Sequence, residues 1–553
     1  MFSVFIRRMM SVGWIGLALA IASPVAAQDG SRPEDALQYK TLVERARESG
    51  NSQGMTLEEC IDLALNRNLT IEITRYQPLI SREQFHATLG VYDYQLDANI
   101  GYSKTERPVL GTLQRQYLRL DTTQSKDLNF GAKLSKYLST GGSFSVQSNN
   151  DRMTNNSNAF NPTYSASLLF SFNQPLWRDF RIDASRRAIL NAKKDREISD
   201  LDFEKQISDI VKSVEDGYWD LVNAIEQQKI QIASRELSLI QLRDNRKRVE
   251  VGTLAPIIIT QTMSQVAQSE QSVIASEADI VRAENVLKNL ICNDRKDPIW
   301  LKVIIPVQTP AVPQGVPELR DLIERAVKQR PEARKYKIYL EKDDVDIRYY
   351  DNQTKPRLDF GASYATNGVA GPNVVEYDYD DDGNIIGQHP GKFTGSLGTV
   401  YEQVFKQEYR DYTIGLTFTY TFGNHAAKAN LAAAKLGKDQ DEATLRQSIQ
   451  TISVEVLNAV QTIEVNRKSL LAAIAARQFQ EEQLDGQQKR YQAGLTTNFE
   501  VLQTQRDLTN AKAAELSALI FLKKSFVELN RATFDILDQN KLDVVTRRPA
   551  EKK

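Results

Sequence analysis

The sequence contains one unit twice, and this internal repeat restricts the possible fold more than any other feature. Three of its matches pair Leu57 with Leu319, Tyr164 with Tyr412 and Lys247 with Lys489, at offsets of 262, 248 and 242 residues. The matches follow one another in order over about 200 residues, which unrelated segments do not show by chance. We therefore interpret the chain as two tandem copies of one unit, joined by a Pro-rich linker at 306–317.

The two ends of the chain complete the predicted organisation. Arg7 and Arg8 precede an apolar run at 12–22, and the small residues Val25-Ala26-Ala27 follow it, which is the pattern of a secretory signal peptide. An N-terminal membrane anchor is the alternative, although the run is shorter than the roughly 20 residues of a membrane-spanning helix. We predict a signal peptide at 1–27, a polar segment at 28–54, the first copy at 55–305, the linker at 306–317, the second copy at 318–535 and a polar tail at 536–553.

Each copy ends in long polar stretches that contain no helix-breaking residue. No proline occurs between Pro175 and Pro256, or between Pro390 and Pro549. We predict long helices at 184–251 and 256–290 in the first copy and at 425–493 and 498–530 in the second. A helix of some 65 residues is about 100 Å long, and it is stabilised only by packing along its length, as in coiled coils. A shorter amphipathic helical segment, interrupted near its middle, is predicted at the start of each copy, at 56–90 and 316–352.

Four segments alternate between apolar and small polar residues, at 94–103, 164–172, 358–364 and 412–422. A period of two places one set of side chains on each face of a strand. A half-buried strand of a soluble sandwich is the alternative for any one of them. However, all four are close to the roughly 9–11 residues that a tilted strand needs to cross a bilayer. Because open sheet edges are not tolerated in lipid, we predict that three subunits close a twelve-stranded barrel, with four strands per protomer.

A further alternating stretch lies between the two strands of the first copy. Residues 128–136 and 143–147 flank Thr140-Gly141-Gly142, a combination that predicts an added hairpin. The sequence leaves open whether this hairpin extends the sheet beyond the membrane or lies inside an external loop.

With this plan, the sequence resembles the TolC-type outer-membrane efflux proteins. Local strings add to the resemblance: Gln174-Pro175-Leu176-Trp177, Tyr218-Trp219-Asp220-Leu221 and the paired turns at Gly252 and Gly494. The resemblance covers essentially the whole chain after residue 27. It implies an α+β membrane protein, a homotrimer whose twelve-stranded outer-membrane barrel is continued by a long α-helical barrel in the periplasm.

The resemblance also implies a function. TolC-type proteins are passive exit ducts in the bacterial outer membrane, which receive substrates from an inner-membrane transporter through a periplasmic adaptor, in tripartite efflux or type I secretion. We therefore expect a homotrimer, an adaptor, a transporter and outer-membrane lipid as partners, and no nucleic acid. The alternative is an exported periplasmic coiled-coil adaptor or structural protein without a barrel.

By the resemblance, the two helix-to-helix turns form the periplasmic tip and contact the adaptor. The residues concerned are Val251, Gly252, Thr253 and Leu254 in the first copy, and Gly494, Leu495 and Thr496 in the second. Tyr491, Glu500 and Gln503 correspond to residues at the aperture, where three copies of Glu500 would form a ring of carboxylates that binds cations. Gln503 stands where the family has a second acidic ring. Plain helix caps, and a solvated Glu500 favoured by the helix dipole, are the alternatives.

One loop carries the only pattern that is typical of a metal site. Asp378, Asp380 and Asp382, followed by Gly383, have the spacing that begins a calcium loop. His389 occupies the position of the bidentate glutamate, so we favour an acidic, solvated external loop over a calcium site.

The remaining composition excludes several classes of function. With 70 Lys and Arg against 71 Asp and Glu, the formal net charge is −1, which is unlike a strongly basic nucleic-acid-binding protein. Cys60 and Cys292 can form one disulfide or remain as two buried thiols. Because no nucleophile–base arrangement and no phosphate-binding glycine loop occurs in the sequence, we predict no enzyme activity and no cofactor.

Overall fold

The computed structural model describes residues 40–108, 122–156, 161–308, 315, 317–372 and 375–540. The predicted signal peptide, residues 309–314 and 316 of the linker, and the tail beyond residue 540 lie outside this part of the chain. Within the predicted polar segment at 28–54, the structure has a helix α1, Leu42–Glu48, and the start of a strand β1, Ser52–Met55.

The first copy follows the predicted order of elements. Its helical start is divided at Asn68 into α2 (Leu57–Arg67) and α3 (Leu69–Leu89). The side chain of Asn68 accepts hydrogen bonds from the amides of Thr70 and Ile71, which ends one helix and begins the next. The elements that follow are β2 (Tyr94–Pro108), β3 (Thr122–Tyr137), β4 (Ser143–Asn155), β5 (Thr163–Pro175), α4 (Ala184–Glu250), α5 (Ile257–Ile291) and β6 (Val303–Pro306).

The second copy repeats this order. Its helical start is divided at Arg330, because Pro331 occupies the first position of the next helix. The elements are α6 (Leu319–Gln329), α7 (Pro331–Gln353), β7 (Arg357–Ala370), β8 (Val375–Tyr379), β9 (Ile385–Pro390), α8 (Leu397–Lys406), β10 (Tyr409–Thr419), α9 (His425–Gln492), α10 (Asn498–Thr533) and α11 (Ile536–Gln539). Within the described residues, no helix is both long and apolar enough to cross a membrane.

The two copies are fastened together near the linker. β1 pairs in parallel with β6, and the hydroxyl of Tyr218 on α4 binds both sides of this pair. It accepts from the amide of Gln308 at 3.1 Å and donates to the carbonyl of Met55 at 3.3 Å. One apolar core surrounds Tyr218 in the first copy, and another lies between α6, α9 and α10 in the second.

Six strands form one antiparallel sheet in the order β10-β7-β5-β4-β3-β2. The prediction of four strands per protomer is therefore wrong, since the sheet contains six. The predicted hairpin contributes β3 and β4, which lie between β2 and β5 and pair with their neighbours along their length. Their length and alternation match those of the flanking strands, so they meet the same pairing requirements.

The register gives this sheet one mainly apolar and one mainly polar face, because directly opposed residues of paired strands lie on the same side. One row across all six strands contains Tyr412, Tyr364, Phe170, Val146, Leu134 and Leu96. A row on the opposite face contains Asn367, Ser167, Asn149, Gly131 and Asn99. Even-numbered strand residues thus share the apolar face, and odd-numbered residues share the polar face.

Helix α8 covers one end of the apolar face. Val400 and Val404 pack against Ala166 and Ala370. Gly368 permits this contact, because a Cβ atom there would lie 2.5 Å from the carbonyl oxygen of Val400. The apolar face is therefore covered by protein at this end.

The long helices form a single curved layer. α4 packs against α5, α9 packs against α10, and α4 also contacts α10. The resulting order is α5-α4-α10-α9. Between α4 and α10, Lys524 binds Asp220 at 3.0 Å and Gln227 donates to the carbonyl of Ala513 at 3.0 Å.

The contact between α7 and α9 contains a carboxyl group that titrates near neutral pH. Burial, together with the carboxylates of Asp441 on α9 and of Asp346, raises the pKa of Asp343 to about 6. A group whose pKa is raised in the folded state stabilises that state most at low pH, and this stabilisation is lost as the pH rises from about 4 through 6.

We predict that hydrogen exchange in α7 is faster at pH 7.5 than at pH 5, after correction for the intrinsic rate. Asp343→Asn, which is neutral at both values, is expected to remove this dependence and to keep α7 protected at pH 7.5. Asp344→Asn is the matched control, because Asp344 is exposed and pairs with Lys438. An unchanged pH dependence in Asp343→Asn would contradict the assignment.

Candidate functional site

Both helix-to-helix turns have the same capping geometry. The amides of Thr253 and Leu495 donate to the carbonyls of Arg248 and Arg490, each at 2.8 Å. The amides of Gly252 and Gly494 donate to the carbonyls of Val249 and Tyr491. This pair of hydrogen bonds is the Schellman motif, in which the glycine adopts a positive φ. The φ values of Gly252 and Gly494 are +77° and +74°, so the repeat extends to the backbone of the turns.

The turns present apolar side chains to solvent. Val251 is 74% exposed and Leu495 is 70% exposed, and Ile257 and Phe499 beside them are also exposed. Leu254 is the exception, since it packs against a small core that contains Tyr491 and Val501. Clustered exposed apolar groups mark contact surfaces in soluble parts of proteins.

Directly behind the turns, a buried polar network joins all four long helices. Asn245 of α4 donates to Oδ1 of Asn498 of α10 at 2.8 Å and to Oγ1 of Thr262 of α5 at 2.9 Å. Tyr491 of α9 donates to Oδ1 of Asn245 at 2.9 Å. These four residues are buried. Because each helix contributes one member, the network fixes the relative positions of the four helices near the tip.

The structure places Tyr491 inside the protomer, where it is only 8% exposed. The guanidinium of Arg248 lies 5.1 Å from the centre of its ring. Burial raises the pKa of Tyr491, and Arg248 opposes this effect. The hydroxyl therefore remains protonated at neutral pH and serves as the donor to Asn245.

Glu500 and Gln503 have a different environment from Tyr491. Both are exposed, one turn apart on α10. The amide of Glu500 donates to Oγ1 of the capping residue Thr497 at 3.4 Å, and its carboxylate is directed away from the buried Val501 side of the helix. Gln503 binds Asp507 and Arg506 of the same helix. Their role at an aperture stays a prediction.

Sequence reasoning identified Tyr491 but missed Asn245, Thr262 and Asn498. The signal was present, since these polar residues occupy positions that a coiled coil ordinarily fills with apolar ones. Their pairing depends on which helices are neighbours, which the sequence does not specify.

The other predicted chemical features do not form sites. Oδ1 of Asp380 accepts the amides of Asp382 and Asn384 within its own turn, and Asp378 lies 3.6 Å from Nδ1 of His389. Across the described ranges, no group of three or more His, Cys, Asp and Glu residues is arranged to hold a metal ion. The aspartate loop therefore gains no support as a calcium site.

The two cysteines are free thiols rather than a disulfide. Both are buried, and burial raises the pKa of Cys60 to about 12 and that of Cys292 to about 11. Since the thiolate is the reactive form, neither thiol is activated at neutral pH.

A two-faced sheet with unpaired edges, continued by a layer of four long helices, defines the architecture of an outer-membrane channel protomer. The model of the outer membrane efflux protein family matches residues 137–293 and 322–533, about two thirds of the chain. The chain belongs to this family. Its two matched segments correspond to the two copies of the repeat.

Solved structures have the same fold. The CmeC outer membrane channel of Campylobacter jejuni is 16% identical, with a TM-score of 0.59 over 89% of this chain and 90% of that chain. VceC of Vibrio cholerae is 14% identical, with a TM-score of 0.58 over 86% and 95%. The open state of the MtrE channel of Neisseria gonorrhoeae is 16% identical, with a TM-score of 0.55 over 86% and 88%. Comparison with curated proteins gives no significant match.

These findings confirm the TolC-type resemblance and the fold class, apart from the corrected strand count. They also confirm the location in the outer membrane, with the helices forming a tunnel in the periplasm. The protein is an outer-membrane efflux channel, and its family is one of channels rather than of enzymes.

The polar network predicts the effect of one atom at the tip. Tyr491→Phe removes the donor to Asn245, and leaving a buried acceptor unpaired costs about 1–3 kcal/mol. We expect faster hydrogen exchange in the ends of all four long helices, with a decrease of that size in the free energy of local opening. Tyr412→Phe, the same change on an exposed strand position, is the control. Equal exchange in Tyr491→Phe and the wild type would contradict a fastening role for the network.

Proposed function

We propose that three copies of this chain form a passive exit duct, which conducts substrates from an inner-membrane transporter and a periplasmic adaptor to the cell exterior. The substrates enter in tripartite efflux or in type I secretion. The observation that most supports this proposal is the pair of open edges on a sheet with one apolar face.

The edge strands β2 and β10 have unpaired outer sides within the described residues. Their apolar side chains are exposed, with Ile100 and Tyr412 each 79% exposed. In a bilayer, the edge amides and carbonyls require partners, since lipid supplies none. All neighbours in the sheet are antiparallel and their number is even, so β2 of one copy can pair antiparallel with β10 of the next.

The helix layer is open at its two ends as well. α9 carries an exposed apolar stripe at helical spacing, which contains Val454, Leu457, Val465, Leu471 and Phe479. α5, at the other end of the layer, exposes Met263, Ile274 and Val281 on one side. Packing α9 of one copy against α5 of the next would cover both stripes while the sheet edges pair. The number three follows from the resemblance to TolC-type channels.

Two features support the proposed roles of the tip. The exposed apolar residues Val251 and Leu495 offer a surface for the adaptor, as does the exposed backbone of Gly252, Thr253, Gly494 and Thr496. Glu500 and Gln503 lie on the exposed side of α10, where three copies would surround an opening. Tyr491 acts on this aperture through the polar network, by holding α9 against α4.

The assembly is tested by native mass spectrometry of protein extracted from outer membranes in detergent. We expect a mass of three mature chains, and retention of the purified cognate adaptor. Val251→Ser with Leu495→Ser should weaken adaptor binding at least tenfold, whereas Leu301→Ser, at an 85% exposed position remote from the tip, should not. A monomer, or a protein that is soluble without detergent, would disprove the duct.

A ring of Glu500 carboxylates predicts a cation preference in planar bilayers. Glu500→Gln should reduce the cation-to-anion permeability ratio several-fold, because it removes three charges from the narrowest part. Gln503→Glu should increase the ratio by adding a second ring one helical turn away. Glu318→Gln, the same change before α6, serves as the control. If Glu500→Gln leaves the ratio unchanged, Glu500 does not line the constriction.

A further inference from the structure

We infer that the membrane barrel contains eighteen strands, six from each of three copies, and that its lumen is about half again as wide as that of a twelve-stranded barrel. The number of copies rests on the function proposed above. The number of strands per copy rests on the hairpin β3–β4, which is a full member of the sheet.

The hairpin is paired on both sides over the height of the sheet. β2 and β3 are in register from Tyr94 opposite Lys136 to Pro108 opposite Thr122. β4 and β5 are in register from Ser143 opposite Asn173 to Met153 opposite Thr163. Removing the hairpin to an external position would leave the inner edges of β2 and β5 without hydrogen-bond partners, at a cost of several kcal/mol per group in lipid.

The side chains of the hairpin also match the two faces of the sheet. Along β3, the even-numbered residues Leu128, Phe130, Ala132 and Leu134 lie on the apolar face, and the odd-numbered residues Asp127, Asn129, Gly131 and Lys133 lie on the polar face. A loop in water requires no such sorting, whereas a wall between lipid and a water-filled lumen does.

The hairpin turn is fitted to the helical end of the sheet. Oγ1 of Thr140 donates to Oε1 of Gln174 at 2.7 Å, and Nε2 of Gln174 donates to the carbonyl of Thr140 at 3.1 Å. Gly141 has a φ of +87° and contacts the carbonyl of Asp179. At Gly142, a Cβ atom would lie 2.5 Å from Oε1 of Gln174. Because Gln174 ends β5 just before α4, the hairpin reaches from the far end of the sheet to the helices.

The insertion preserves closure because it adds two strands rather than one. With six alternating strands, β2 and β10 run in opposite directions, so the junction between copies remains antiparallel. A single added strand would have made this junction parallel and the total odd.

The widening is confined to the membrane part. β2 follows α3 and β5 leads into α4, and the hairpin brings no helix of its own. The helix layer of each copy therefore still has four long helices, beneath a sheet of six strands. A barrel of 16–18 strands encloses an aqueous channel, so we infer that the membrane part passes bulky hydrophilic cargo and that the helices set the size limit.

Single-particle electron microscopy of the detergent-extracted, full-length protein tests this inference, because strands and copies are counted in the same map. We expect three copies and eighteen strands. Three copies around twelve strands, with β3 and β4 outside the wall, would overturn the wide barrel but leave the proposed duct intact. Two copies around twelve strands would overturn both.

A deletion of residues 122–156 provides the matched variant. β2 and β5 then become neighbours, and the loop that joins them stays at the end of the sheet remote from the helices. We expect a trimer with twelve strands and a barrel narrowed to about two thirds of the wild-type diameter. A folded deletion variant whose barrel keeps the wild-type diameter would contradict the inference, and if the variant does not fold, the wild-type strand count decides.

Discussion

The structure depends on one requirement, that every backbone amide and carbonyl within a bilayer has a protein partner. The sheet meets it internally for β7, β5, β4 and β3, and leaves one side each of β2 and β10 unmet. A single copy is therefore an incomplete membrane structure, and the apolar stripes on α9 and α5 make its helix layer incomplete in the same direction. Assembly is thus specified twice, by hydrogen bonds in the sheet and by apolar packing between helices.

At the tip, polar contacts replace the apolar packing that most helical bundles use. Tyr491, Asn245, Thr262 and Asn498 meet in a buried cluster with few apolar neighbours. Hydrogen bonds are directional, so such a cluster defines one arrangement of helices more sharply than apolar contacts of equal area. It also costs less to separate in the presence of water, which suits the end of a channel that has to open.

Much of the fold was predictable because its signals are local. The helix predicted at 184–251 is Ala184–Glu250, and that at 498–530 is Asn498–Thr533, since neither contains a proline or an early cap. Period-two alternation located the strands for a similar reason. The place of the hairpin was not predictable, because alternation in β3 and β4 fixes their faces but not their neighbours. The partners of Asn245 depend likewise on which helices lie side by side, and no local pattern carries that information.

The central claim is that the even-numbered face of the sheet contacts lipid and the odd-numbered face lines water. Single cysteines along β10, labelled in intact outer membranes with a membrane-impermeant maleimide, test it most directly, since both native cysteines are buried. The account predicts rapid labelling at the odd-numbered positions Thr413 and Thr417, and protection at the even-numbered positions Ile414 and Leu416. Equal labelling of the two sets would contradict it.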